Sequence, residues 1–286
     1  MAARPVWMEK PSIVSQILKA TVLIALVIVM LFPFVYVTAV SLSSSRDVLR
    51  GGLILFPHHP TLESYRAILR GGIVQHSLMV SVGITLVGTA ADMVMTVALA
   101  YGLSRTRDVP GSKFVLYLVL GSMLFGAGII PNYLLIKSLH LLNTYASLIV
   151  PGLIAGFNLV VVRSFFMNIP QDLIDSARID GAGNLQVLWR IILPLSKAVL
   201  AVVALFYGVA HWNAYFNALL YLNDASKWPV QLILMQYVLQ GTPLAGVVQQ
   251  TANQPPPPPQ SIQMAVVVLA TVPIIVVYPF LQKYFT

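Results

Sequence analysis

Five charged side chains crowd one stretch of a chain that otherwise avoids charge. The segment DLIDSARIDGAGNLQVLWRIILPL (172–195) holds Asp172, Asp175, Arg178, Asp180 and Arg190, while only 9% of the 286 residues are charged. Pro170 suits a first helical position, and Asp172 close behind it suits the helix dipole. Leu173 and Ala177 share a face with Ile174 beside them, and Asp175 and Arg178 are i,i+3 neighbours. Gly181 predicts the stop, because glycine takes left-handed backbone cheaply. NLQVLWRII then predicts a second short helix leading through Pro194 into an apolar span. The chemistry on offer is docking: a short amphipathic helix, a glycine hinge and a helix continuous with a span. Such a knob can lie on a membrane surface or seat its apolar side in a partner's groove.

A second polar cluster lies at AHWNAYFNA, 210–218. Helical spacing makes four stripes there: Ala210/Ala214/Ala218, His211/Tyr215, Trp212/Phe216 and Asn213/Asn217. The alanine stripe permits close helix contact. Two readings of the rest stand side by side. His211, Trp212, Asn213, Tyr215 and Asn217 line a path with aromatic faces and amides, or the segment is an interfacial aromatic belt. Asn132, Tyr133 and Asn158 are further path candidates from neighbouring spans. Asp92, the lone acid inside a span, reads as a helix–helix hydrogen bond, a pairing with a second membrane subunit, or a proton relay. His58 and His59 lack a nearby carboxylate in sequence and make a poor metal site. Catalysis has no foothold, since neither H-E-x-x-H nor G-x-S-x-G occurs. With no cysteine, disulfides, thiolate metal sites and cysteine nucleophiles are excluded.

These residues are positioned by helices in lipid. The chain is 58% hydrophobic with a mean hydropathy of +0.83, and the charged surface a soluble protein needs is missing. Apolar runs are continuous, not alternating, which excludes a β-barrel. A bilayer core needs about 20 apolar residues per helix. Six segments qualify, at about 17–40, 76–103, 114–136, 145–167, 195–220 and 264–282, giving an all-α integral membrane protein as one domain over 1–286. The first span is too long for a signal-peptide core and is expected to remain uncleaved. The net charge of +8 reads as a loop excess of lysine and arginine, not as a nucleic-acid surface.

Six spans place both termini on one side, and loop charge chooses it. With the termini in the cytoplasm, the inner segments hold Arg4, Lys10, Lys19, Arg105, Arg107, Lys113, Arg163, Arg178, Arg190, Lys197 and Lys283. The outer segments hold Arg46, Arg50, Arg66, Arg70, Lys137 and Lys227. That asymmetry favours termini inside and puts 168–194 in the cytoplasm. The outer loops are then 41–74 and 221–262, the second carrying QPPPPPQ at 254–260, a stiff polyproline spacer.

At this point the sequence resembles a family. Asp175-Ser176-Ala177, Gly181, then Ile191 and Leu193-Pro194 match the spacing of the EAA loop of bacterial ABC importer membrane subunits. Asp175 stands for the usual Glu and Ser176 for the first Ala. PNYLLIKSLHLLNTYASLIVPGL (131–153) and NIPQDLIDSARIDGAG resemble the carbohydrate-uptake branch in its shorter six-span form. HWNAYFNALLYLNDASKWPVQL (211–232) is similar to the subgroup importing complex oligosaccharides, alginate-type saccharides among them. The resemblance implies a non-catalytic permease subunit in the bacterial cytoplasmic membrane. It further implies a second homologous permease subunit, two ATP-binding subunits that hold ATP and Mg, and an extracytoplasmic solute-binding protein. In this chain no G-x-x-x-x-G-K-[ST] occurs, and DVPGSK (108–113) lacks the glycine–lysine pair. By the same resemblance, Leu173, Ile174 and Ala177 fill an apolar groove of the ATPase, Asp175 meets a basic group at its rim, Arg178 flanks it, and Gly181 lets the helix rock. The competing class, an ion- or proton-coupled carrier, predicts several intramembrane ionisable clusters and an inverted repeat; neither is visible.

Overall fold

The computed structural model describes residues 12–70, 72–105, 109–240 and 258–282. Every element named among them is helical, and the one β-bridge pairs Ser43 with Pro60. The chain forms two compact units, 1–67 with 251–268, and 68–250 with 269–286.

In the first unit, α1 (Ile13–Ser41) is capped by the Ser12 hydroxyl, which accepts from Ser15 N at 3.2 Å. Its 29 residues reach about 44 Å at 1.5 Å per residue, more than a hydrocarbon core. None of its most apolar 18-residue window is buried within the protein. Burial begins at Ala39–Ser41, where Ser43 Oγ donates to Ala39 O at 2.7 Å and Ser41 Oγ lies 2.8 Å from Tyr65 OH. Helix α2 (Ser45–Arg50) follows. The Ser44 hydroxyl donates to Asp47, and that bond, followed by His59 at 3.4 Å, holds the Asp47 carboxyl below its usual range. The polyproline run at 254–257 lies outside the described residues; Pro259 and Gln260 already begin the last helix.

The second unit is organised on α4 (Ile73–Ser104), which follows α3 (Glu63–Arg70). One stripe of α4 is buried: Val74, Ser77, Ser81, Ile84, Gly88, Asp92, Thr96, Ala100 and Leu103. That three-and-four spacing is the helical repeat, and its small residues let α8 (Gly156–Met167) and α12 (Lys197–Trp212) pack closely against it. Leu159 and Val162 of α8 and Val203 of α12 are fully buried in the resulting core. Leu159→Ala is therefore expected to cost about 2–5 kcal/mol, read as a lower thermal unfolding midpoint in detergent.

Among the described residues, three continuous helices are long and apolar enough to cross a membrane: α1, α4 and the last helix, α15 (Pro259–Gln282), over Pro259–Val277. The other expected spans are interrupted. The third becomes α5 (Ser112–Leu124) and α6 (Ile129–Ser138) around a non-helical Phe125–Gly128. Two glycines weaken the helix there, Gly128 adopts φ +83°, and Pro131 has no N–H for the carbonyl of Ala127. The fourth is α7 (Ala146–Ile149) with a 3-10 turn through Pro151, bent 48° from α8. The fifth ends at Trp212, and α13 (Tyr215–Tyr221) restarts after Ala214, whose ψ of 48° is non-helical. Beyond it lies α14 (Val230–Gln240).

Candidate functional site

The charged segment folds as a helix, a glycine turn and a second helix. Helix α9 (Gln171–Ile179) starts directly after Pro170, whose ψ of 127° is still extended. Ser176 Oγ donates to Asp172 O at 2.8 Å, and Gln171 Nε2 donates to the exposed Asp175 Oδ1 at 3.1 Å. Gly181 takes φ +84°. Gly181 N donates to Arg178 O at 3.0 Å and Ala182 N to Ala177 O at 2.9 Å, the paired bonds of a Schellman stop. The apolar face of α9 is divided. Ile174 is buried in the protein's own core beside Val187, and Ala177 packs against the same cluster. Of the three residues expected to fill a partner's groove, Leu173 alone stays open, 47% exposed. The difference arises because the stretch after Gly181 folds back beneath α9, which no local spacing announces.

Helix α10 (Asn184–Val187) is held to the end of α4. Tyr101 OH donates to Asn184 O at 2.9 Å, Arg105 Nη1 donates to Asn184 Oδ1 at 3.2 Å, and the Arg105 guanidinium sits 4.5 Å over the Tyr101 ring. A π-turn, Leu188–Ile192, precedes the short α11 (Leu193–Leu195). The segment Asn184–Leu195 then meets α12 at 85°. The expected continuity with the fifth span is thus replaced by a sharp bend at Ser196. Pro194 lacks the N–H that would bond Arg190 O, and a π-turn already loosens the ladder. Ile179, Leu185 and Trp189 are exposed by 86, 73 and 69%. Leu185 and Trp189 stand four residues apart, a signal of a shared face that the sequence contained.

The candidate path residues divide among several helices. Asn132 is exposed on α6, and Asn158 is buried on α8. Tyr133 stacks on Tyr221 of α13, ring centroids 6.3 Å apart. On α12, His211 Nε2 lies 2.7 Å from Asp92 Oδ2 of α4, with the side chains 7 and 1% exposed. Of the roles open to Asp92, this geometry is the helix–helix hydrogen bond. Trp212 is buried and donates from Nε1 to Ala270 O at 3.0 Å. Four residues before His211 on α12, Tyr207 OH lies 2.6 Å from Thr96 Oγ1 and accepts from Ala155 N. Past the break, Asn213, Tyr215, Phe216 and Asn217 are exposed. Tyr215 and Phe216 meet edge to face at 6.4 Å, and Asn213 Nδ2 donates to Val209 O at 2.9 Å. The stripes expected to run through 218 end here, because the backbone turns between Asn213 and Tyr215.

The segment between α6 and α7 is tied to the segment between α13 and α14. Asn143, at φ +60°, accepts from Asp224 N through Oδ1 at 3.1 Å and from Lys227 Nζ through its carbonyl at 2.9 Å. The Ser226 hydroxyl and then its amide donate to Asp224 and hold that carboxyl below its usual range.

Comparison with known proteins joins these features. Residues 11–286 match the family model described as the binding-protein-dependent transport system inner membrane component. The chain is 43% identical over 263 residues to the polygalacturonan/rhamnogalacturonan transport system permease protein YtcP of Bacillus subtilis (strain 168), covering 92% of each chain. It is 44% identical over 257 residues to Protein LplC of the same strain, covering 89% of this chain and 86% of LplC. It superposes, with a TM-score of 0.91 and 28% identity, on a chain of a bacterial ABC transporter involved in the import of the acidic polysaccharide alginate, covering 98% of this chain and 100% of that one.

Proposed function

This chain belongs to the binding-protein-dependent transport system inner membrane component family, and we propose that it is the permease subunit of an ATP-driven importer of acidic oligosaccharides. The observation that carries the reading is the match along nearly the whole chain to a solved importer of an acidic polysaccharide. The charge pattern supports it. The outer segments, in the orientation with both termini inside, hold Arg46, Arg50, Arg66, Arg70, Lys137 and Lys227 against Asp47, Glu63 and Asp224. An excess of cations on the side where substrate arrives concentrates anionic ligands. The carrier alternative has no support in the family or in the relatives.

In this reading the protein does no chemistry on bonds. It spans the membrane six times, the third, fourth and fifth crossings being broken helices. It forms half of a path with a second, homologous permease, and a solute-binding protein delivers the saccharide from outside. Two cytoplasmic subunits bind ATP and Mg. Helix α9 docks on one of them through Leu173, Asp175 and Arg178, with Ile179, Leu185 and Trp189 enlarging the apolar contact. Ile174 and Ala177 act from behind, fixing α9 to the core so that a push on the helix moves the core. ATP binding is thereby converted into a bias between two membrane conformations.

Gentle detergent purification of the tagged chain, followed by reconstitution, tests the reading. An ATPase and a second permease should co-purify, and uptake of a short oligogalacturonate should require ATP and survive a protonophore. Recovery of the polypeptide alone, active on a proton gradient, would replace the importer by a carrier. ATP-dependent uptake that favours neutral sugars would remove the acidic class while leaving the importer.

A further inference from the structure

Two consecutive side chains at the end of α12 reach different helices. His211 bonds Asp92 on α4 at 2.7 Å, and Trp212 donates to the Ala270 carbonyl on α15 at 3.0 Å. Helical neighbours diverge by about 100° around the axis at 3.6 residues per turn, so the pair grips two sides at one height. The imidazole is also bedded. A β-carbon on Gly88 would lie 2.6 Å from His211 Nε2 and 2.7 Å from Cε1, so any side chain at 88 would push the ring off Asp92. Immediately beyond this grip the helix stops, Tyr215 N turning to Asn213 O at 2.8 Å. The next side chains, Asn213, Tyr215, Phe216 and Asn217, are open.

A hydrogen-bonded carboxylate and imidazole inside an apolar bundle is a costly choice if packing were the only task, since apolar residues of similar size fill such space at least as well. What a polar pair adds is register, because it is satisfied at only one height of α12 against α4. We infer that Asp92 and His211, bedded on Gly88, are positioning residues that fix where α12 ends and so hold Asn213–Asn217 toward the saccharide. His211 itself acts from within the bundle and not as a path-lining group. This assignment rests on the reading of 213–217 as path, and the test separates the two.

Because the chain has no cysteine, Asn217→Cys gives a single thiol in this subunit. The assembled transporter, with its binding protein, is treated with a membrane-impermeant maleimide over a range of oligogalacturonate concentrations. Protection of Cys-substituted position 217 in the otherwise unaltered chain is expected; its absence would sink the path reading itself. Given protection, Asp92→Ala and His211→Ala should each raise the protecting concentration about tenfold, the scale of one hydrogen bond to a charged group. The double variant should be no worse than either single one, because the two residues make one contact. Asp92→Asn keeps an acceptor at the same reach and should restore protection to within about threefold of the parent. An unchanged midpoint in both alanine variants, multiplicative effects in the double variant, or failure of the amide to rescue would each overturn the positioning role. If the alanine variants do not reach the membrane, His211→Leu, which keeps apolar volume and loses the bond, must show the same shift.

Discussion

Gly181→Val is expected to abolish saccharide uptake while the protein inserts normally. Position 181 has φ +84°, and a β-carbon there would meet nothing within 4 Å. Steric room is therefore not the issue; backbone conformation is. An ordinary L-residue pays about 1–2 kcal/mol for left-handed backbone, and a β-branched one more. Losing the conformation also opens the bonds Gly181 N to Arg178 O and Ala182 N to Ala177 O, each worth about 1 kcal/mol. Together these amount to about 3 kcal/mol against the docked loop, or a loss of about a hundredfold in uptake rate. The same reasoning orders a series. Gly181→Ala should lose about tenfold, whereas Gly181→Asn, whose side chain tolerates left-handed backbone, should stay within about threefold. Uptake per inserted molecule is the measurement. Normal transport by the valine variant would show that the turn is not needed for coupling, and an Asn variant as poor as Val would shift the cause from φ to side-chain size.

Asp175→Lys is expected to release the ATPase from the detergent-purified complex. The carboxylate is exposed, and its contact within the chain is a hydrogen bond from Gln171 at 3.1 Å. An exposed pair of that kind contributes little to folding, so the substitution should leave thermal stability near that of the parent. Against a basic group on a partner the effect is large, because like charges placed together cost several kcal/mol. A fall of at least about thirtyfold in co-purified ATPase is the corresponding loss. Asp175→Glu, the residue more usual at this place in the EAA pattern, should retain association. Undiminished recovery of the ATPase with Lys at 175 would take the rim contact away from this residue.

The coupling loop was legible because its signals are local. Pro170, the three-and-four spacing of Leu173, Ile174 and Ala177, and Gly181 act within a few residues of chain; the left-handed stop forms at Gly181, and the helix begins at Gln171, one residue later than expected because Pro170 keeps an extended ψ. What the loop presents outward was not legible. Periodicity names an apolar face but not its occupant, and Ile174 spends its surface in the protein's own core cluster, which also holds Val187 of α10. The interior breaks lie between these cases. Gly126, Gly128, Pro131 and Pro194 weaken the helices in ways the sequence displays, yet whether a weak point breaks depends on the neighbours that can satisfy the freed backbone groups.

By itself the sequence determined the solvent, the helical class and the position of the polar knob, since each follows from composition or from spacing within one turn or one span. Tertiary structure alone decided that Asp92 and His211, 119 residues apart, meet across two helices, that α12 leaves its approach segment at 85°, and that Asn213–Asn217 emerge where the helix ends. These outcomes depend on which helix lies beside which. A buried polar group is tolerable only with its partner in place, and chain order does not say which residue that partner will be.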